Sequence, residues 1–192
     1  MKALEDKILK EGKVLSADVL KVGAFLNQQL DPDLMDQMGA EIHRLFSGCG
    51  ITKIFTIEAS GIALALAAAY HFRVPAVFAK KGKSSNVEEN LVTASVKSFT
   101  RGTTYEVSVS NEYIGENDTV LIIDDFLASG NALIGLIDIV KQTGAKLAGA
   151  AIAIEKGFQK GGKQLRESGV RVESLAIIDE MSEDGIVFRN QA

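Results

Sequence analysis

The sequence predicts an α/β fold with a mainly parallel central sheet flanked by helices. Three observations lead there. Short apolar runs recur at Ile54-Phe55-Thr56-Ile57, Val120-Leu121-Ile122-Ile123 and Ala150-Ala151-Ile152-Ala153-Ile154. Each reads as a strand buried on both faces, as in the middle of a parallel sheet. Segments of helical periodicity alternate with these runs, which is the pattern of strand–helix–strand units. The length of 192 residues, with 46% hydrophobic and 24% charged residues, suits one domain, 1–192, with a full-sized core.

Composition also excludes some classes. A net charge of -4 argues against nucleic acid as the main partner. The single cysteine, Cys49, makes no internal disulfide, which fits a reducing cytoplasm. Met1 to Lys7 is mixed in charge and lacks the apolar run of a signal peptide. The longest nearly apolar run, Ile62 to Tyr70, is too short to cross a bilayer, so no membrane is expected. Two histidines and one cysteine, scattered, make no zinc site.

Taken in order, the chain opens with a helix, Lys2 to Glu11, whose Leu4 and Ile8 share one face. Val14 to Leu26 mixes apolar and polar residues and gives no strong signal of a main-sheet strand. Asp31-Pro32 starts the next helix, with Asp31 as N-cap and Pro32 in the first turn. Leu34, Met35, Met38, Ile42, Leu45 and Phe46 form its apolar stripe, and Gly48 or Gly50 closes it. Lys53 to Ile57 is the first core strand. Glu58-Ala59-Ser60-Gly61 then leads into a helix from Ile62 to Phe72.

Pro75 to Ala79 is a short strand, followed by a basic loop beginning Lys80-Lys81-Gly82-Lys83-Ser84-Ser85. The Gly82-Lys83-Ser84 end is P-loop-like, but that motif requires Gly where Val77 stands, so an ATPase is rejected. Thr93 to Phe99 and Thr104 to Val109 alternate as a hairpin around Arg101-Gly102-Thr103. Residues 80–110 are thus expected to form a lid and hairpin. After the 120–123 strand comes a helix ended by Gly144, then a strand from Lys146 to Ile154. A modest helix from Gln159 to Ser168, weakened by Gly161-Gly162, follows. Arg171 to Ile178 is a late strand, and Ile186 to Phe188 pairs near the end.

The chemistry centres on Thr119 to Ala132. Asp124 and Asp125 follow the apolar run, and Ala128-Ser129-Gly130-Asn131 then leads into a helix. A helix N-terminus offers unpaired N–H groups and the positive end of the dipole to a phosphate. Small side chains let phosphate oxygens approach. Two adjacent carboxylates at a buried strand end are costly unless they have a role. The alternative is a plain acidic cap on the following helix. Glu58 to Gly61 is a second strand-to-helix turn, either an anion site or an ordinary turn.

The stretch from Val120 to Ala132 resembles the phosphoribosyl pyrophosphate (PRPP) signature of the type I phosphoribosyltransferases. Four apolar residues, two acids, two apolar residues and a small-small-Gly-x-small loop all find their match. Across nearly the whole chain the sequence is similar to the bacterial branch of that family that acts on xanthine. The similarity rests on Val19 to Val22, Phe25-Leu26-Asn27, Glu58 to Ile62, Asn90 to Val96 and Ile154 to Gln159. It implies the type I fold, with a small base-capping hood over about residues 1–30 and a flexible lid.

It further implies transfer of a phosphoribosyl group from PRPP to N9 of xanthine, with Mg2+ carried by PRPP and no direct protein ligand. Asp124 and Asp125 are the expected catalytic pair. Ala128, Ser129, Gly130, Asn131 and Ala132, with Ser60, Gly61 and Lys81, are expected to bind PRPP. Leu20, Asn27 and Lys156 are expected to hold xanthine, in a homodimer. Departures from the pattern are Ser60, where one branch carries Arg, and Lys80 and Gly82, where relatives carry Arg and His.

From the residues alone, Lys156 is equally an ion-pair partner of Glu155, and Phe158 equally a base-stacking or a core aromatic. The rival functions are a non-catalytic PRPP-sensing regulator and an adenine or a guanine-hypoxanthine transferase. Against the regulator, too few residues precede Lys53 for a separate DNA-binding domain.

Overall fold

A computed structural model describes residues 1–82, 90–97, 103–182 and 185–191. Helix α1, Lys2–Glu11, buries Leu4 and Ile8. Strands β1, Lys13–Ser16, and β2, Val19–Lys21, form a separate two-stranded antiparallel ribbon. A π-helical turn, Gly23–Asn27, then buries Phe25 and Leu26. Helix α2, Pro32–Leu45, starts as its sequence dictates, with the Asp31 side chain accepting from the Leu34 N–H at 3.1 Å.

The remaining elements build one eight-stranded sheet. They are β3 Lys53–Ile57, α3 Gly61–Phe72, β4 Ala76–Lys81, β5 Leu91–Lys97, β6 Thr104–Ser110 and β7 Thr119–Leu127. Then come α4 Asn131–Gln142, β8 Lys146–Lys156, α5 Gly161–Glu167, β9 Val172–Ser182 and β10 Gly185–Phe188. The strand order is β10-β9-β8-β7-β3-β4-β6-β5. Strands β9, β8, β7, β3 and β4 run parallel, and the antiparallel β5–β6 hairpin and β10 finish the two edges.

The alternation of the central strands sorts the core into two layers. Ile54, Leu121 and Ile123 pack with α1, α2 and α3 on one face. Phe55, Val120 and Ile122 pack with Leu133 and Leu136 of α4 and Leu165 of α5 on the other. Each fully buried Leu or Ile contributes about 1.5–3 kcal/mol, so the central strands lie where the sheet is hardest to open.

Two expectations are corrected. Lys80 and Lys81 do not begin a loop; they finish β4, opposite Ser108 and Val107 of β6. Lysines suit such a position because their charged ends reach water while the backbone pairs. The hairpin of the expected lid is therefore an extension of the main sheet. The acid pair also lies within β7, not after it, since pairing with β8 continues to Leu127. Lys83 to Ser85, Phe99 and Arg101-Gly102 lie outside the described residues.

Candidate active site

The carboxyl ends of β3 and β7 stand side by side and lead into α3 and α4, which pack on opposite faces of the sheet. That is the end of a parallel sheet where α/β proteins place their ligands. Asp124 and Asp125 lie there, each only 7% exposed. The Asp125 N–H donates to Asp124 Oδ1 at 3.0 Å. Burial, and then the neighbouring Asp125, hold the Asp124 carboxyl well above the usual carboxylate range. Lys81 pulls in the other direction. Two carboxyls buried side by side repel each other as anions, so a positive charge beside them is favourable.

Beyond the acids, the loop from Ala128 to Gly130 turns into α4. Gly130 has φ 82°, a left-handed conformation that glycine adopts without a side-chain clash. No side chain caps this helix, and its first N–H groups have no preceding turn to bond to. The Asn131 side chain is engaged elsewhere, donating to the Lys97 carbonyl at 2.9 Å, so it ties the loop to the hairpin. Its backbone N–H remains at the helix start.

Glycines 161 and 162 have a role that their low helix propensity conceals. A Cβ on Gly161 would lie 2.3 Å from the Ala128 carbonyl oxygen and 2.6 Å from Gly130 N. The Gly161 N–H donates to that same carbonyl at 3.2 Å. A Cβ on Gly162 would lie 2.0 Å from Glu155 Oε1. Glu155, 2% exposed, accepts two bonds from Arg166, at 2.8 and 2.7 Å, and one from Ser174. Burial alone would raise its pKa, but the hydrogen bonds from Arg166 and Ser174 outweigh that and hold it below the usual range. This ion pair, buried on the Glu155 side, sets the start of α5 against the loop.

The second turn is also close by. Ser60 and Gly61 open α3 with no side-chain cap. Glu58 accepts a hydrogen bond from the Lys81 N–H. The Lys81 ammonium lies 5.8 Å from the centre of the Tyr105 ring. Burial, and then the charge of Asp124, raise the Tyr105 pKa. The 58–61 turn, Lys81 and Tyr105 therefore lie on the Asp124 side of the acid pair.

The N-terminal segment covers the other side. Asn27 Nδ2 donates to Asp125 Oδ2 at 3.4 Å. Lys156 Nζ donates to the Asp18 carbonyl at 2.6 Å and lies 5.7 Å from the centre of the Phe126 ring. Burial lowers the Lys156 pKa, and the Asp18 charge opposes it. Glu155 is occupied by Arg166, so the reading of Lys156 as its ion-pair partner fails. Leu20, 7% exposed, lies in the core beneath this segment. Phe158 is 39% exposed and is no core aromatic.

Of the expected base-site residues, Asn27 touches the acid pair directly, while Lys156 reaches Asp18 and Phe126 and Leu20 lies in the core. Sequence reasoning missed Gly161, Gly162, Arg166 and Tyr105. It also missed Thr56, whose hydroxyl is the one buried side-chain polar atom lacking a partner among the described residues. Among those residues, no three His, Cys, Asp or Glu side chains cluster to hold a metal, and no helix is long and apolar enough to cross a membrane.

Comparison with known proteins follows the same lines. A family model described as phosphoribosyl transferase domain matches residues 23–188. A protein of Clostridium botulinum named xanthine phosphoribosyltransferase 2 is 53% identical over 190 residues, covering 98% of this chain and 100% of its own. A Bacillus mycoides protein named xanthine phosphoribosyltransferase is 55% identical over 191 residues, covering 100% of this chain and 97% of its own. Among solved structures, Giardia lamblia adenine phosphoribosyltransferase complexed with 9-deazaadenine superposes with a TM-score of 0.77 at 20% identity, over 91% of this chain and 96% of that one. Adenine phosphoribosyltransferase from Rhodothermus marinus gives a TM-score of 0.75 at 21% identity, over 92% and 99% of the two chains. The last two similarities concern the fold.

Proposed function

The chain belongs to the phosphoribosyltransferase family, and on that premise we propose that it is a xanthine phosphoribosyltransferase of purine salvage. It transfers the 5-phosphoribosyl group of PRPP to N9 of xanthine, giving xanthosine 5'-monophosphate and pyrophosphate. One observation carries the site-level reading. A buried carboxylate pair is followed by an uncapped helix start and is met by Asn27 of the N-terminal segment. Relatives 53% and 55% identical over 100% and 97% of their lengths support the choice of base.

The residues divide the work as follows. The N–H groups of 128–132 receive the 5-phosphate at the positive end of α4. Ser60, Gly61 and Lys81 face the pyrophosphate. Asp124 and Asp125 hold the ribose hydroxyls and face the positive charge that builds on the sugar. The bond from C1' to the pyrophosphate oxygen breaks, and pyrophosphate leaves with the electron pair. The N9–C1' bond forms, and the N9 proton passes to the departing pyrophosphate. Lys156 supplies charge and donors to the carbonyl-rich, acidic base. Asn27 and Leu20 belong to the hood, about 1–30, that caps it.

Magnesium prefers six oxygen ligands and keeps several waters. The two carboxylates supply only part of such a shell, which fits a magnesium ion carried on substrate oxygens with Asp124 and Asp125 beside it. When bound it neutralises charge on the departing pyrophosphate. The enzyme works as a cytoplasmic homodimer. The test is pyrophosphate release with PRPP, magnesium and each purine in turn. Highest efficiency is expected with xanthine. PRPP binding without consumption of any base would instead make the chain a PRPP-sensing regulator.

A further inference from the structure

Thr56 sits in the middle of the reaction centre's foundations, yet its hydroxyl has no partner. The residue is 1% exposed, and Oγ1 is the single buried side-chain polar atom without a hydrogen bond among the described residues. A buried hydroxyl left unpaired destabilises a fold, so its presence asks for a reason. Its surroundings supply one. A point 1.5 Å or so from Gly61 Cα, where a Cβ would stand, is 2.2 Å from Thr56 Oγ1 and 3.3 Å from Asp124 Oδ1. Only the missing side chain of Gly61 leaves that space open. Thr56 is too buried to touch a ligand itself, and Asp124 is the acid beside it.

We propose that Thr56 is a positioning residue, whose hydroxyl donates to Asp124 Oδ1 when PRPP enters and fixes that carboxylate against the ribose. The proposal rests on the transferase reading above. Asp124 Oδ1 accepts the Asp125 N–H, and the Thr56 hydroxyl has no partner among the described residues. With ligand, a carboxylate facing positive charge accepts a further donor, and charge-assisted bonds are the strong ones. Gly61 keeps the path between the two oxygens free.

The experiment compares Thr56→Val and Thr56→Ser with the parent enzyme. Valine keeps the branched shape and removes only the hydroxyl; serine keeps the hydroxyl. Thr56→Val should lower kcat about tenfold or more, the scale of a lost bond to a charged group. Its KM for xanthine should stay within about twofold, because the base site lies elsewhere. Its melting temperature should hold or rise, since an unpaired buried hydroxyl has gone. Thr56→Ser should restore kcat. An unchanged kcat in Thr56→Val overturns the proposal, and so does a fall in kcat that comes with a lower melting temperature and a raised xanthine KM. If the parent enzyme itself turns over no base, the transferase reading fails, which is a separate result.

Discussion

Gly161→Ala should disable PRPP handling while leaving the fold standing. The added Cβ would lie 2.3 Å from the Ala128 carbonyl oxygen and 2.6 Å from Gly130 N, against an ordinary contact of 3.4 Å or more. Both obstacles are backbone, so no side chain can swing aside. Either α5 or the 128–130 loop must move by about 1 Å. A misplacement of about 1 Å costs about 10²-fold in rate, or roughly 2.7 kcal/mol. The local preference has the opposite sign, because alanine is the better helix former by up to about 1 kcal/mol. Steady-state kinetics with PRPP varied at saturating xanthine should show kcat/KM for PRPP about 10²-fold lower. The xanthine KM should change little. Parent-like PRPP kinetics with a raised melting temperature would refute the reasoning, because the loop would then owe nothing to α5.

Asp125→Asn keeps the shape and removes charge that faces the developing cation; kcat should fall about 10²-fold or more, with PRPP binding weakened less, in assays at saturating substrate. Lys156→Gln should raise the xanthine KM by roughly ten- to a hundredfold, about 1.5–3 kcal/mol, and hypoxanthine should suffer less. An intact xanthine-to-hypoxanthine ratio would move the base to other residues. Arg166→Met leaves Glu155 buried without its partner, a loss of about 3–5 kcal/mol for a fully buried pair and nearer the lower figure here, because Arg166 is 34% exposed; urea unfolding measures it. The Glu155 pair also has a pH signature. Its folded pKa lies below the unfolded value, so its stabilisation is present above the usual carboxylate range and is lost as pH falls through the folded value. Melting temperatures across acid pH should fall more steeply in the parent than in Arg166→Met.

Much of this site was legible because its parts are local. The acid pair and the small-residue loop are adjacent in sequence, and Lys2–Glu11 and Lys53–Ile57 appear with the bounds their patterns predict. What escaped was long-range. Gly161 and Gly162 look like weak points of a helix until the backbone of Ala128 to Gly130 and the carboxylate of Glu155 are seen against them. Arg166 and Ser174 meet Glu155 from other elements, and no local pattern pairs them. Lys80 and Lys81 read as the start of a basic loop because their charge says nothing of the β6 backbone they pair with. Thr56 is an ordinary strand residue by type; only the absence of a partner marks it.

Strand β8 ends in two neighbouring residues that look in opposite directions. Glu155 reaches Arg166 of α5, behind the phosphate loop, and Lys156 reaches Asp18 and Phe126 on the hood side. One peptide bond therefore separates the residue that braces α5 from the one that faces the N-terminal segment. Under the proposed roles, the sugar phosphate and the base are mounted on a common rigid bar, so their spacing is inherited from strand geometry and not from loop conformation. A new base preference can then be drafted on the hood face, through residue 156 and its surroundings, with α5 and its glycines left as they are. The same division makes β8 a natural place to begin redesign of this enzyme toward unnatural nucleotides.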